Sequence, residues 1–407
     1  MSSNYRNFQN SVPLLIIILE AAFIILFYFF DIDNDDSPLS GISYPAFQDV
    51  SHMMIFGFGF YLTFLKRYGF SSTGFNLLII VIGVQCSMLI EGVLVSFLPN
   101  KIEDRLKRRT AVVSTTAVVI SSAAVLGKTN PVQLIVMTVV EVMVFWMNRW
   151  INTKFLQNPD NISMMHVHLF GAYFGLAVSS RFSEPSPRSE KNGSTPKSDL
   201  LSMLGTLFLW VFWPSFNSVL AADSKGKAIY NTYFALAVSA VTAFVLSVLT
   251  TKDGKFRMSH IRSAVLAGGV AVGYAAHSIE YPWIAMILGL LASVITILGS
   301  YCLQRCFHAT LEIHDSSGVH FTFGLPAVLG AVAQVILFVI KNWTNLPSLH
   351  FFVVIHIGAF CFTISVALVT GFITGLILNL KLFKTTPVSK YFEDQFYWEF
   401  PHLSVGF

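Results

Sequence analysis

Apolar runs of membrane length alternate with short polar connectors along almost the whole chain. Twelve candidate spans follow from this pattern: 12–31, 47–65, 75–97, 110–127, 131–151, 162–180, 199–220, 229–249, 260–278, 281–301, 319–341 and 349–379. A helix needs about 20 apolar residues to cross a bilayer. The pattern therefore predicts an all-α polytopic membrane protein with one transmembrane domain over 1–379 and a tail over 380–407. The span 260–278 is the least apolar. Its segment VLAGGVAVGYAA, followed by His277, reads as a close-packing glycine face.

An even number of spans places both termini on one side. The connectors 181–198, 250–259 and 302–318 carry Arg181, Arg188, Lys191, Lys197, Lys252, Lys255, Arg257 and Arg305, and Lys66 and Arg67 fall on the same side. Positive charge collects on the cytoplasmic side, so that side and both termini are assigned as cytoplasmic. Arg105, Lys107, Arg108 and Arg109 fall on the other side and conflict with the rule, only partly offset by Glu103 and Asp104. The acidic loop FDIDNDDSPLS is expected outside. The connector SSRFSEPSPRSEKNGSTPKSD is polar and rich in Ser and Pro, and reads as a disordered linker. Apolar blocks of similar size flank it, which permits two structural halves. Sequons begin at Asn161, Asn192 and Asn342; the second falls on the cytoplasmic side and the other two lie close to the membrane.

Composition agrees. Of 407 residues, 54% are hydrophobic and only 12% are charged, which suits a bilayer better than water. The net charge of +4 is dispersed over connectors, so no nucleic-acid surface is indicated. Cys86, Cys302, Cys306 and Cys361 suggest no disulfide framework. Cys302 and Cys306 have ligand-like spacing without a second pair, so core or membrane-edge thiols are expected, with lipid attachment as an alternative. The polar N-terminus lacks a small-residue cleavage site and leads into a retained first span. There is no HExxH, GxGxxG, P-loop or serine-elbow pattern, hence no expected cofactor, metal centre or enzymatic activity.

The chemistry sits where polar residues interrupt apolar runs. His166 and His168 lie in MMHVHLFGAYFGLAV. Ionisable groups at membrane depth usually face a protein interior, a pore or a proton path. Two residues apart on a helix they point roughly 200° from each other, so only one need face a pore. The alternative for either is an interhelical hydrogen bond. Asp160, in NPDNIS, can cap the following helix or orient groups at a vestibule. In HDSSGVHFTFGLPAVLG, Asp315, Ser316 and Ser317 can cap a span, His320 sits in its first turns, and Gly324 and Pro326 can bend it. Broken helices at membrane depth often line cavities. Glu91 and Glu141 can bridge helices through Ser or Thr.

These blocks, with SAAVLGKTNPVQL, GTLFLWVFWPSFNS, AVLAGGVAVG and KYFEDQFYWEFPHLSVGF, resemble the ammonium transporter / Rh superfamily, and within it the non-glycosylated erythroid Rh blood-group polypeptides. The resemblance implies two pseudo-symmetric halves and trimeric assembly. In conducting members an outer aromatic pair gates each subunit's pore, and two histidines face each other along it. His168 matches the first pore histidine and Asp160 the acidic residue at the vestibule. Phe216 matches one gate aromatic, and the other falls at Val113. Phe323 stands where the second pore histidine is expected. His320, three residues earlier, is near a position that often holds Asn or His and is not that twin.

Phenylalanine at 323 removes a hydrogen-bonding partner and adds bulk. Valine at 113 weakens cation recognition. The resemblance therefore implies a plasma-membrane subunit of an erythrocyte complex with poor or absent ammonia conduction. Its partner would be the Rh-associated glycoprotein in a homo- or hetero-trimer, with a membrane-skeleton adaptor at the tail. The alternative is a channel for ammonia, methylammonium or carbon dioxide that relies on His168.

Overall fold

The computed structural model describes residues 3–29, 44–97, 107–183, 185, 190–219, 221, 224–311, 313–343 and 346–400. The acidic segment 30–40, Glu103, Asp104, Arg105, Arg188, Thr344 and 401–407 lie outside the described residues, as do the side chains of Lys107, Arg108, Arg109, Cys302, Arg305 and Cys306. Helical segments stand at all twelve predicted spans. They are α1 (Ser3–Phe29), α2 (Tyr44–His52) continued through a π-turn to α3 (Gly59–Tyr61), α4 (Gly69–Phe97), α5 (Lys107–Ala124), α6 (Pro131–Lys154), α7 (Asp160–Met165) running into α8 (Val167–Ser179), α9 (Pro196–Ser218), α10 (Lys225–Thr250), α11 (Met258–Val272), α12 (Pro282–Leu311), a π-turn over His320–Gly324 into α13 (Leu325–Lys341), and α14 (Leu346–Leu378).

Among the described residues, nine of these segments are long and apolar enough to cross a membrane. Ala111–Ala124 and Met258–Val272 are shorter apolar helices. The expected span 260–278 thus stops being helical near Val272. The span 47–65 is broken by its π-turn, Met53–Phe58.

Local sequence explains the helix starts. Pro131 and Pro196 each occupy a first helical turn, where a missing N–H is harmless. Asn130 with Gln133, and Thr195 with Ser198, form reciprocal capping boxes before them.

Small residues then set the packing. A Cβ on Gly171 would lie 2.4 Å from the Ala117 carbonyl oxygen, and one on Gly371 2.5 Å from the Phe174 carbonyl oxygen. Helix α8 is therefore pressed backbone to backbone between α5 and α14. The α7–α8 segment Asp160–Ser179, nearly all of whose residues are buried, is the most enclosed of the nine apolar spans among the described residues. In the glycine-rich α11, Gly268 meets the Ala235 carbonyl oxygen of α10 at 2.5 Å from its ideal Cβ, as a close-packing face requires. Glu141 does bridge helices: it accepts from the buried Ser121 hydroxyl of α5.

The connectors sort to two ends as an even span count demands. At one end, Lys66 N–H donates to the Gly193 carbonyl, Phe392 N–H to Gly127, Asp394 N–H to Arg67 and Ser316 N–H to Ala124. At the other, Lys341 pairs with Glu280 at 3.0 Å and Asn161 hydrogen-bonds His277 at 3.3 Å.

Two residues of the polar linker, Lys191 and Asn192, reach partners elsewhere in the bundle. Lys191 pairs with Glu393 at 2.7 Å, and Asn192 bonds His314 at 3.2 Å. The tail supplies the partners that linker polarity alone does not reveal. Its Asp394 carboxylate accepts from the Phe70 and Ser71 N–H groups at the start of α4, both at 2.8 Å. Trp398 covers Gly74, and Trp398 Nε1 donates to Ser71. Burial raises the Asp394 carboxyl above its ordinary range and pushes the Tyr397 phenol up to about 12.

Candidate functional site: a histidine in an aromatic chamber

The α7–α8 segment carries both sequence-selected histidines, and the structure separates them. His166 occupies the junction between the two helices. Its Nδ1 meets the Thr363 hydroxyl of α14 at 3.2 Å, and its ring lies 5.6 Å from Tyr274. His168 faces elsewhere. Its imidazole stacks on Trp213 at 5.7 Å, meets Phe216 edge-on at 5.6 Å, and lies parallel to Phe323 at 6.5 Å. The helical offset between positions 166 and 168 thus sends the two rings to different neighbours.

The buried Nε2 of His168 has no protein partner. In the tautomer protonated at Nδ1, Nε2 presents a lone pair. That lone pair can accept a hydrogen bond from a small neutral solute. Aromatic rings fill much of the surroundings. Phe323 contacts Trp213 at 6.5 Å, Phe58 at 6.0 Å and Tyr61 at 6.4 Å. Trp213, Phe216 and Phe323 are all essentially inaccessible to solvent.

The remaining selected residues occupy distinct places. Val113 is fully buried on α5, in the same apolar core as Phe216. His320 starts the π-turn, with its ring 5.8 Å from Tyr173 and 4.9 Å from Phe321. Asp315 caps this second interrupted helix as expected, accepting from the N–H groups of Gly318 and His320 at 2.9 Å each. Ser317 instead donates to the Ala123 carbonyl at 3.0 Å.

Asp160 requires a correction. It is the first residue of α7 and makes no capping hydrogen bond. Its carboxylate forms a forked pair with Arg149, with N–O distances of 2.9, 2.7 and 2.6 Å. The guanidinium lies 4.6 Å from the Trp146 ring centroid. A planar arginine satisfies both carboxylate oxygens better than a helix start would.

Sequence reasoning missed three contributors. Trp213 stacks on His168, and its one sequence signal is an aromatic in the run WPSF. Lys128 is fully buried between α5 and α6; its ammonium donates to Ser179 at 2.8 Å and to the His314 carbonyl at 2.6 Å. Its signal was a lone lysine between two apolar runs. Arg262 sits under the aromatic floor, 3.9 Å from the Phe64 centroid and 5.4 Å from Tyr61.

Known proteins resemble this chain in sequence and in fold. The Ammonium Transporter Family model matches residues 15–395. An RH-like protein of Macaca mulatta is 43% identical, with all of both chains covered. The Blood group Rh(CE) polypeptide of Homo sapiens is 42% identical over the same full coverage. Among solved structures, the Rh50 protein of Nitrosomonas europaea, described with a mechanism of conduction by the Rhesus protein family of channels, superposes with a TM-score of 0.74. That match has 28% identity and covers 88% of this chain and 93% of the other. A sensor Amt protein at 19% identity shares the fold, with a TM-score of 0.68 over 91% of this chain. The multi-pass helical bundle, its buried histidine-bearing helix and these full-length likenesses place the chain in the ammonium transporter family, on its Rh branch.

Proposed function

We propose that this chain is a plasma-membrane Rh subunit with a structural role and little or no ammonia conduction. Phe323 carries the reading. It stands where a conducting relative is expected to hold its second pore imidazole, and it packs among Phe58, Tyr61 and Trp213. A neutral solute leaving His168 meets hydrocarbon there in place of an acceptor. A polar group moved into hydrocarbon without a hydrogen bond loses about 1–3 kcal/mol on protein scales. The Arg149 pair supports the same reading, because it occupies the Asp160 carboxylate that would otherwise attract a cation.

On this reading the subunit assembles as a homo- or hetero-trimer with the Rh-associated glycoprotein in the erythrocyte membrane. Both termini are cytoplasmic, in keeping with Lys66, Arg67, Lys191 and Lys390 gathering at the tail end of the bundle. The tail over 380–407 offers the membrane-skeleton adaptor its contact. A second reading rests on the unpartnered Nε2 of His168. One imidazole could pass ammonia, methylammonium or carbon dioxide at reduced rate.

Ammonia flux through the purified chain in proteoliposomes tests both, with a conducting glycosylated Rh relative as control. Background flux beside an active control supports the structural role. Flux above protein-free vesicles overturns it in favour of the channel.

A further inference from the structure

His166 leads to a second polar region away from the His168 chamber. A small cavity, with room for about one water-sized molecule, lies between the α6–α7 connection, α7, α13 and α14. Asn158, His166, Tyr274, Gln334 and His356 supply its polar lining, with apolar walls from residues such as Phe360. Four atoms on this lining are buried without a protein partner: both side-chain atoms of Asn158, the Tyr274 hydroxyl and His356 Nε2. Asn158, Tyr274 and His356 are each at least 95% buried. Leaving one such group unsatisfied costs about 1–3 kcal/mol, so four around one cavity call for a ligand.

Hydrogen-bond bookkeeping fixes what the ligand must offer. His356 Nδ1 lies 3.0 Å from the Phe352 carbonyl oxygen. A carbonyl only accepts, so Nδ1 holds the proton and Nε2 is an acceptor. Thr363 Oγ1 receives the amides of Asn148 at 3.2 Å and Asn152 at 3.4 Å. Both oxygen lone pairs are then used, and its hydrogen points to His166 Nδ1. His166 therefore carries its proton on Nε2, at the other edge of the ring. The site combines donors from His166, Tyr274 and the Asn158 amide with acceptors from His356 and the Asn158 carbonyl. No Asp, Glu, Lys or Arg lines it.

We propose that Asn158, His166, Tyr274 and His356 form a buried site for a small neutral molecule that both donates and accepts hydrogen bonds. Water and an unprotonated amine of the ammonia class share that chemistry. A cation finds no carboxylate here and an anion no positive charge. The site does not depend on whether the His168 chamber conducts.

The test is a structure of the full chain in lipid nanodiscs, at a resolution that shows ordered water, with and without methylamine near the amine's own pKa. Density joining His356 Nε2 to the Asn158 side chain is expected in both samples. A change to methylamine density on adding the amine assigns the solute as an amine, while unchanged density assigns it as water. An empty cavity, or Asn158 and His356 paired directly to each other, overturns the proposal. His356→Leu should lose the density, and His356→Gln, which retains an acceptor near Nε2, should keep it. Tyr274→Phe gives an independent sign. With the site occupied, removing the hydroxyl lowers the unfolding temperature by a few degrees; with it dry, removing a buried unpaired hydroxyl leaves that temperature unchanged or raises it, which contradicts occupancy.

Discussion

Two interrupted helices bring polar chemistry into the middle of this bundle, and they differ where it matters. The α7–α8 segment begins at Asp160, bends at His166 and delivers an imidazole, His168, to the chamber. The segment from Asp315 through the π-turn to α13 delivers a phenyl ring, Phe323, to the same chamber. Each starts beside an aspartate, but Asp160 answers to an arginine and Asp315 to backbone N–H groups. Both backbones carry an aromatic ring to the same depth, and of the two rings only the imidazole of His168 can hydrogen-bond. The packing beneath them rests on glycine contacts and caps, which leave the identity of the ring at 323 free to differ.

The comparison breaks most completely at the backbone contact beneath His168. Gly171→Val puts a branched side chain where even a Cβ lies 2.4 Å from the Ala117 carbonyl oxygen. A loss above about 4 kcal/mol is expected, read as absence of a monodisperse folded peak after extraction. The corresponding contact under α13 is Gly330 against Ala271, whose replacement should fail the same way.

Alkali tests the tail that closes the end beneath both segments. The Tyr397 phenol has a folded pKa of about 12, above its ordinary value near 10, through burial. An acid with a raised folded pKa favours the docked form fully below its free pKa, and that support is lost as pH rises from about 10 towards about 12. At most about 2–3 kcal/mol is involved. Trp398 fluorescence should report undocking in that window and stay flat between neutral pH and its onset.

Removing Arg149 sharpens the difference between the two aspartates. Arg149→Leu leaves Asp160 without its forked partner, and a cost of about 2 kcal/mol is expected, reduced because the carboxylate is 40% exposed. Thermal unfolding of the variant beside wild type measures it. Phe323→His restores hydrogen bonding on the second segment. About tenfold more ammonia flux is expected where the rest of the path is open, equivalent to about 1.4 kcal/mol of barrier. Unchanged flux would place the obstruction elsewhere on the path. Asp315→Ala should have the smallest effect, about 1 kcal/mol, through the two lost backbone acceptors. Hydrogen exchange at Gly318 and His320 is the sensitive readout.

The helices were legible because a bilayer imposes a length and an apolar character on every span, and both are local properties of the chain. The sorting of connectors followed from counting those spans. The π-turns and the division of α7 from α8 were only hinted at by Gly, Pro and His within apolar runs. NPDNIS satisfies the local rule for a cap, one of the two roles open to Asp160, but the arginine that pairs with it lies on another helix. The partners of Lys191 and Asn192 in the mid-chain connector are likewise remote, Glu393 and His314.

By itself the sequence determined that the chain is all-helical, where its apolar segments lie and that a phenylalanine stands at 323. Helical geometry also required His166 and His168 to diverge. Only the tertiary structure decided that His168 meets Trp213, that Arg149 holds Asp160, that Asp394 seats the tail on α4, and that His166 and His356 border one cavity. Those facts depend on which faces of remote segments pack together. Close contact between helices selects those faces, and no local window of sequence contains both partners.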